Sequence, residues 1–235
     1  MSIFTTLKNN LANFFTLGNL ASGFFGIVAA MQGNEDRALV AIFICLILDF
    51  FDGFVARLTN STSSIGKDLD SLADAVSFGV LPGIMIFNLL PENFAWVAVL
   101  VPVFSVWRLA KFNHDTRSSA YFYGLPTPAN ALCIAGFYWD KVFDGSTITK
   151  QFENFEWLVI IYVIISSLLL ISNVKMLSNK ISNFSLKKYF PHILVLIVAI
   201  FSIYYYLVFG LSLAIISYVL ISIIITFVPS KTSSS

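Results

Sequence analysis

The sequence predicts an all-α integral membrane protein with about eight transmembrane helices and both termini in the cytoplasm. Three observations carry that expectation. Hydrophobic residues fill 57% of the 235 positions and charged residues only 11%, against about 25% charged in an ordinary soluble domain. The mean hydropathy is +0.83, and the apolar residues fall in runs long enough to cross a bilayer, which takes about 20 helical residues. Period-two alternation is absent, so helices and not a closed barrel must satisfy the backbone.

The spans follow in order. The first, 12–32, comes after a short N-terminus with one lysine, Lys8, and no small-residue cleavage pattern, so it reads as a retained span and not a signal peptide. Its stretch NFFTLGNLASG sets Asn13, Thr16, Asn19 and Gly23 along a polar strip, a pattern that interhelical hydrogen bonding alone can explain. The second and third spans, 37–59 and 68–90, carry five aspartates between them. Pro82 and Gly83 fall inside the third and predict a kink or the end of its regular part. The fourth, fifth and sixth cover 94–112, 127–143 and 155–173. The last two, 191–209 and 211–228, meet at a very short turn around Gly210 and form a helical hairpin. Cys45 and Cys133 lie inside apolar runs with no CxxC or histidine neighbourhood, as structural thiols do. No internal repeat stands out, so 1–235 reads as a single catalytic domain: a motif-bearing core over about 12–173 and the hairpin over about 190–228.

Lysine and arginine placement orients the helices. With the N-terminus inside, the inner side holds Lys8, Arg57, Lys67, Arg108, Lys111, Arg117, Lys175, Lys180, Lys187, Lys188 and Lys231, and the outer side only Arg37, Lys141 and Lys150. The 60–67 and 113–126 loops and the basic 174–190 segment then face the cytoplasm. That last segment reads as a solvated interfacial linker whose lysines could also meet anionic head groups. A net charge of +1 with no basic block gives no signal for nucleic acid.

The chemistry concentrates in LDFFDGFVARLTNSTSSIGKDLDSLADAVSFG. Asp49, Asp52, Gly53, Ala56 and Arg57 share one face of the second span, and Gly66, Asp70, Asp74 and Ser77 share a face of the third. Two antiparallel helices joined by a short loop bring these faces together at the cytoplasmic boundary. Asp68 falls off the common face and meets water. Four carboxylates gathered there repel one another unless cations neutralise them. Oxygen ligands in that number suit Mg²⁺, Mn²⁺ or Ca²⁺ better than zinc, whose thiolate and imidazole partners are missing. Gly53, Ala56 and Gly66 clear space beside them, either for tight helix packing or as the floor of a pocket. A metal cluster with room beside it is what phosphoryl transfer requires.

The spacing D-x2-D-G-x2-A-R-x8-G-x3-D-x3-D, filled by Asp49, Asp52, Gly53, Ala56, Arg57, Gly66, Asp70 and Asp74, resembles the signature of the CDP-alcohol phosphatidyltransferases at all its fixed positions. The resemblance implies a membrane-embedded helical enzyme that joins a CDP-linked lipid to an alcohol and releases CMP. It implies two divalent ions, Mg²⁺ or Mn²⁺, held by Asp49, Asp52 and Asp70. Asp74 becomes the catalytic base, near or also touching a metal. Gly53, Ala56 and Gly66 would admit the cytidine, with Arg57 ordering the site. The first span is similar to a Pro-Asn-x2-Thr-x2-Asn pattern of the family, which brings Asn13, Thr16 and Asn19 to the CDP pocket. Ala12 stands where the proline would be, a departure that touches the start of the helix more than the chemistry. A homodimer in a bacterial inner membrane, with the active site facing the cytoplasm, is the family's expectation.

Two further stretches narrow the acceptor. LDSLADAVSFGVLPG, and WRLAKFNHD followed by YFYGLPTPANA, resemble the serine-using branch, which implies CDP-diacylglycerol and L-serine as substrates and phosphatidylserine and CMP as products. Serine needs a cation for its carboxylate and acceptors for its ammonium. Arg108, Lys111 and Arg117 are the cations at hand, each equally readable as a positive-inside flank, and arginine's fork suits a carboxylate best. Asn113 or a carbonyl near Gly124 could take the ammonium. His114 reads as a loop residue and His192 as a span flank, neither with a role. Another acceptor, such as glycerol 3-phosphate or an inositol phosphate, is the nearest alternative. A cation channel or transporter, or a non-catalytic scaffold, would leave Gly53, Ala56, Arg57 and the intact aspartate set unexplained.

Overall fold

The computed structural model describes residues 3–59, 63–114, 122–144, 155–176, 186–206 and 208–227, with side chains outside 3–10, 186–193 and a few segment ends. The chain is helical as its composition demands. Helix α1 (Ile3–Met31) turns back through Gly33, at φ 73°, into α2 (Glu35–Thr59). Helix α3 (Ser64–Asp74) runs through a π turn (Ala75–Val80) into α4 (Leu81–Leu89). A 3₁₀ turn (Ala95–Val99) leads into α5 (Leu100–Asn113). Helix α6 (Thr127–Trp139) ends in a second π turn (Asp140–Asp144), and α7 (Phe155–Ile171), α8 (Leu186–Tyr206) and α9 (Phe209–Phe227) complete the bundle.

Four of these stretches are long and apolar enough to cross a membrane: Leu11–Met31, Glu35–Thr59, Ser64–Leu89 and Ala95–Asn113. The protein is an all-α integral membrane protein. Of the later helices, α7 is shorter than these spans. Helix α7 has 17 residues and rises about 26 Å at 1.5 Å per residue, just short of a hydrocarbon core of about 30 Å. Ser64–Leu89 is the central span: 61% of its most apolar window is buried against protein, compared with 33% for each of the other three. Around it lies the core of Ile42, Phe78, Leu81, Met85, Ile86, Val101 and Ile134. Phe14, Phe25, Phe50, Trp96 and Tyr204 point outward and exposed. In water such a surface would be a liability; facing acyl chains it costs nothing, because lipid is as apolar as the side chains.

Three local features differ from the sequence expectation. The irregularity in the third span comes before Pro82, in the π turn, where the Leu81 N–H reaches back to the Val76 carbonyl. Proline lacks a donor and crowds the carbonyl four residues earlier, and a wider turn absorbs both problems without breaking the rod. Gly83 sits against Pro102, where a Cβ would come within 2.9 Å of its Cδ. The hairpin turn lies ahead of Gly210, which is already inside α9 and leaves no space for a Cβ beside the Ser202 backbone of α8. Its role is close helix approach, not chain reversal. Finally, Phe122–Tyr123 and Lys175–Met176 form a short antiparallel pair that ties the 113–126 loop to the segment after α7. Four residues of pairing are too few to show in a pattern.

Candidate active site

The site sits where α1, α2 and α3 meet at one end of the bundle. Helix α3 starts there because Ser63, extended at φ −114° and ψ 154°, accepts the Gly66 N–H at 2.9 Å, an N-cap that satisfies one of the helix's orphan donors. From that start, Asp70 and Asp74 lie one turn apart on the face turned toward α2. Asp49, Asp70 and Asp74 converge, with a carboxylate oxygen from each within 4.8 Å of the others. Asp74 is buried, and its Oδ1 accepts from Asn19 Nδ2 at 3.2 Å. Asp52, also buried, stands outside that triangle and accepts from Thr16 Oγ1 at 2.9 Å. The polar strip of α1 thus touches both acidic faces through two of its members. Gly23 instead packs on α3's continuation, where a Cβ would lie 3.0 Å from Ser77 Cα.

Three carboxylates so close carry strong mutual repulsion unless a cation joins them. The donors are hard oxygens with no thiolate or imidazole, a set that fits Mg²⁺, Mn²⁺ or Ca²⁺. The carbonyl oxygen Oδ1 of fully buried Asn19 has no partner among the described residues, one more oxygen beside Asp74 awaiting an electropositive group. The cluster can therefore hold a divalent cation.

Beside it opens a cavity of about 430 Å³ lined by Ala12, Asn13, Thr16, Asp52, Gly53, Ala56, Ser63, Ser64, Gly66, Lys67 and Asp70. The small residues of both motif helices are on its wall. Among the described residues a Cβ on Gly53 would meet no neighbouring helix, only its own Arg57 guanidinium at 3.5 Å. One on Gly66 would lie 3.0 Å from Ser63 Oγ and 3.4 Å from Asn13 Oδ1. Arg57 itself is exposed at the mouth side of α2. Ser63, Ser64 and Lys67 are lining residues that spacing alone does not single out; the serine ahead of an amphipathic start was their only signal, as an N-cap.

The cations expected near the acceptor separate. Lys111 Nζ donates to the Ile171 carbonyl at 2.9 Å and Asn173 Oδ1 at 3.1 Å, capping α7. Asn113 Nδ2 donates to Ser71 Oγ at 2.8 Å while its carbonyl accepts from Lys67 Nζ at 2.9 Å, clamping α5 to α3. Arg108 turns inward: Nη1 reaches Thr127 Oγ1 at 3.5 Å and Nε is buried without a partner among the described residues. Arg117 and the side chain of His192 lie outside the described residues, and His114 is exposed at the end of α5.

Residues 9–177 match the family model of the CDP-alcohol phosphatidyltransferases, a segment that holds every aspartate above and the whole cavity wall. The chain belongs to the CDP-alcohol phosphatidyltransferase family. Among curated relatives, the CDP-diacylglycerol–serine O-phosphatidyltransferase of Mycobacterium leprae is 34% identical over 202 residues, 82% of this chain and 65% of the relative. The enzyme of the same name from Helicobacter pylori is 33% identical over 195 residues, 79% of this chain and 78% of the relative. The archaetidylserine synthase of Methanothermobacter thermautotrophicus is 34% identical over 134 residues, 54% of this chain and 57% of the relative. The alignment thus leaves about a third of the first relative's length unmatched. Family membership and the acidic cluster agree on a divalent-metal site in a transferase of the membrane.

Proposed function

We propose that this protein transfers a phosphatidyl group from CDP-diacylglycerol to the hydroxyl of L-serine, giving phosphatidylserine and CMP. The observation that carries the reaction class is the triangle of Asp49, Asp70 and Asp74 opening beside a cavity walled by Gly53, Ala56 and Gly66. The serine acceptor is supported by the names of the relatives, two of which are serine phosphatidyltransferases and one an archaetidylserine synthase.

In this reading Asp49, Asp70 and Asp74 hold one ion, and Asp52, which lines the cavity with Asp70, completes a second site; Mg²⁺ or Mn²⁺ fits both. When bound, such ions supply charge neutralisation at the diphosphate and stabilise the departing CMP. The chain's own residues do the rest. Thr16 fixes the Asp52 carboxylate, and Asn19 fixes Asp74. Asn13, Gly53, Ala56 and Gly66 leave room for the nucleotide, with Arg57 closing its outer side. Asp74 takes the proton of the serine hydroxyl as its oxygen attacks the phosphorus nearer the lipid; that P–O bond forms while the P–O bond to CMP breaks. A hydroxyl is a weak nucleophile at neutral pH, so the assistance counts. Transfer is direct, with no covalent enzyme intermediate. Eight spans, cytoplasmic termini, a homodimer, one catalytic domain over 1–235 and a bacterial inner membrane complete the reading.

The test is purified protein with CDP-diacylglycerol and labelled serine. Phosphatidylserine should form only with added Mg²⁺ or Mn²⁺, and chelator should stop CMP release. CMP release indifferent to chelator would remove the metal assignment, and glycerol 3-phosphate outcompeting serine would remove the acceptor.

A further inference from the structure

A second polar cluster lies deeper in the bundle, and the transfer reaction as set out above leaves part of it unused. Thr127 and Asn130 stand one turn apart on the same face of α6, and neither exposes any surface (0%). Arg108 of α5 reaches Thr127, and Tyr162 of α7 donates its phenol hydrogen to Asn130 Oδ1 at 2.7 Å. In that bond Oδ1 accepts, which leaves Nδ2 to donate. Two N–H donors in this one chain of contacts have no acceptor among the described residues, Arg108 Nε and Asn130 Nδ2. Buried donors are nearly always paired in folded proteins. Two on side chains that flank Thr127, with Arg108 also within electrostatic reach of Asp74, mark a place for a ligand that brings acceptors.

We propose that Asn130 is a specificity-determining residue for the acceptor amino acid: Asn130 Nδ2 and Arg108 Nε together receive its carboxylate, and Tyr162 is the positioning residue that holds the amide for it. The inference rests on the serine reading above and extends it to a residue outside the signature motif. Charge decides between anions. A phosphate monoester would call for a denser set of cations, yet Lys67 and Lys111 are already engaged with the Asn113 and Ile171 carbonyls. Arg108 is the one cation on this chain of contacts among the described residues, and a single guanidinium with a neutral amide matches a monoanionic, planar carboxylate. The placement also explains why Asn130 follows the LPTPA turn directly. Pro126, in extended conformation, and Pro128 set the first turn of α6, so the amide's position is rigid before the acceptor arrives.

The experiment compares two acceptors, L-serine and L-serinamide, in which a neutral amide replaces the carboxylate. CMP release is followed with CDP-diacylglycerol in saturating metal. Wild-type protein should prefer serine. Asn130→Ala should lower kcat/KM for serine about tenfold or more, the scale of losing a hydrogen bond to a charged group, while serinamide changes by less than about twofold and the KM for CDP-diacylglycerol is unchanged. Asn130→Asp, equal in shape, should invert the preference by repelling the carboxylate, and Tyr162→Phe should narrow it a few-fold. The ratio of the two acceptors is read on whatever folded enzyme is present, so a purely structural role would lower both alike. Parallel loss with both acceptors in all three variants, with wild-type serine turnover intact, overturns the assignment of Asn130 alone. Wild-type protein that uses another alcohol and not serine overturns the serine reading and this assignment with it.

Discussion

Asp74→Asn is expected to lower kcat by about 10³-fold while leaving the protein folded and able to bind CDP-diacylglycerol. The substitution keeps the shape of the side chain and an oxygen for Asn19 Nδ2, which now lies 3.2 Å from the carboxylate. It removes the negative charge and the basic oxygen. General-base assistance to a hydroxyl is worth about 10²–10⁴, so the loss falls on turnover and not on lipid affinity. Asp49→Asn is the comparison that gives the result its meaning. Asp49 belongs to the same carboxylate triangle, but it is placed only to hold a cation. Its defect should recover in part as metal is raised, whereas that of Asp74→Asn should persist at every metal concentration. The measurement is a metal titration of CMP release for the two variants side by side. Full recovery of Asp74→Asn at high metal would make Asp74 a ligand only and remove the base.

The acidic pair of helices was legible because carboxylates are rare in apolar sequence and helical spacing is rigid. Once Asp49, Asp52, Asp70 and Asp74 are placed on two antiparallel rods, their approach is almost forced. What spacing could not resolve is which carboxylates share one point. Asp52 is drawn aside by Thr16, a partner 36 positions away whose reach depends on how α1 crosses α2. The same limit applies to the cations near the acceptor. Arg108, Lys111 and Asn113 look alike as flanks of one helix end, yet they diverge to Thr127, Asn173 and Ser71, each on a different element. Local sequence records which groups are present and on which face, while their partners are set by tertiary contacts over tens of residues. Asn130 was invisible for that reason. A lone asparagine after a proline pair acquires meaning only when Tyr162 takes one end of its amide and leaves the other without an acceptor.

Gly53→Leu is expected to raise the KM for CDP-diacylglycerol about 100-fold, on the scale of displacing a substrate by about an ångström, without loss of thermal stability. The two readings of the small residues, helix packing and pocket floor, predict opposite results here. If Gly53 existed for close helix approach, a side chain would collide with a neighbour. Among the described residues there is none: the nearest atoms to a Cβ belong to Arg57 on the same helix, at ordinary contact distance. Leucine also gains about 0.8 kcal/mol of helix propensity over glycine, so the melting temperature should hold or rise. The added carbons instead enter the cavity that Gly53 lines. Gly26→Ala supplies the contrast. There a Cβ would come within 2.8 Å of Ala41 Cβ and of Leu81 Cδ2, between α1, α2 and α4, where overpacking costs about 1–3 kcal/mol. That variant should melt earlier and keep its KM. Thermal unfolding in detergent and substrate titration, run on both variants, separate the two roles, and a destabilised Gly53→Leu with unchanged KM would return Gly53 to packing.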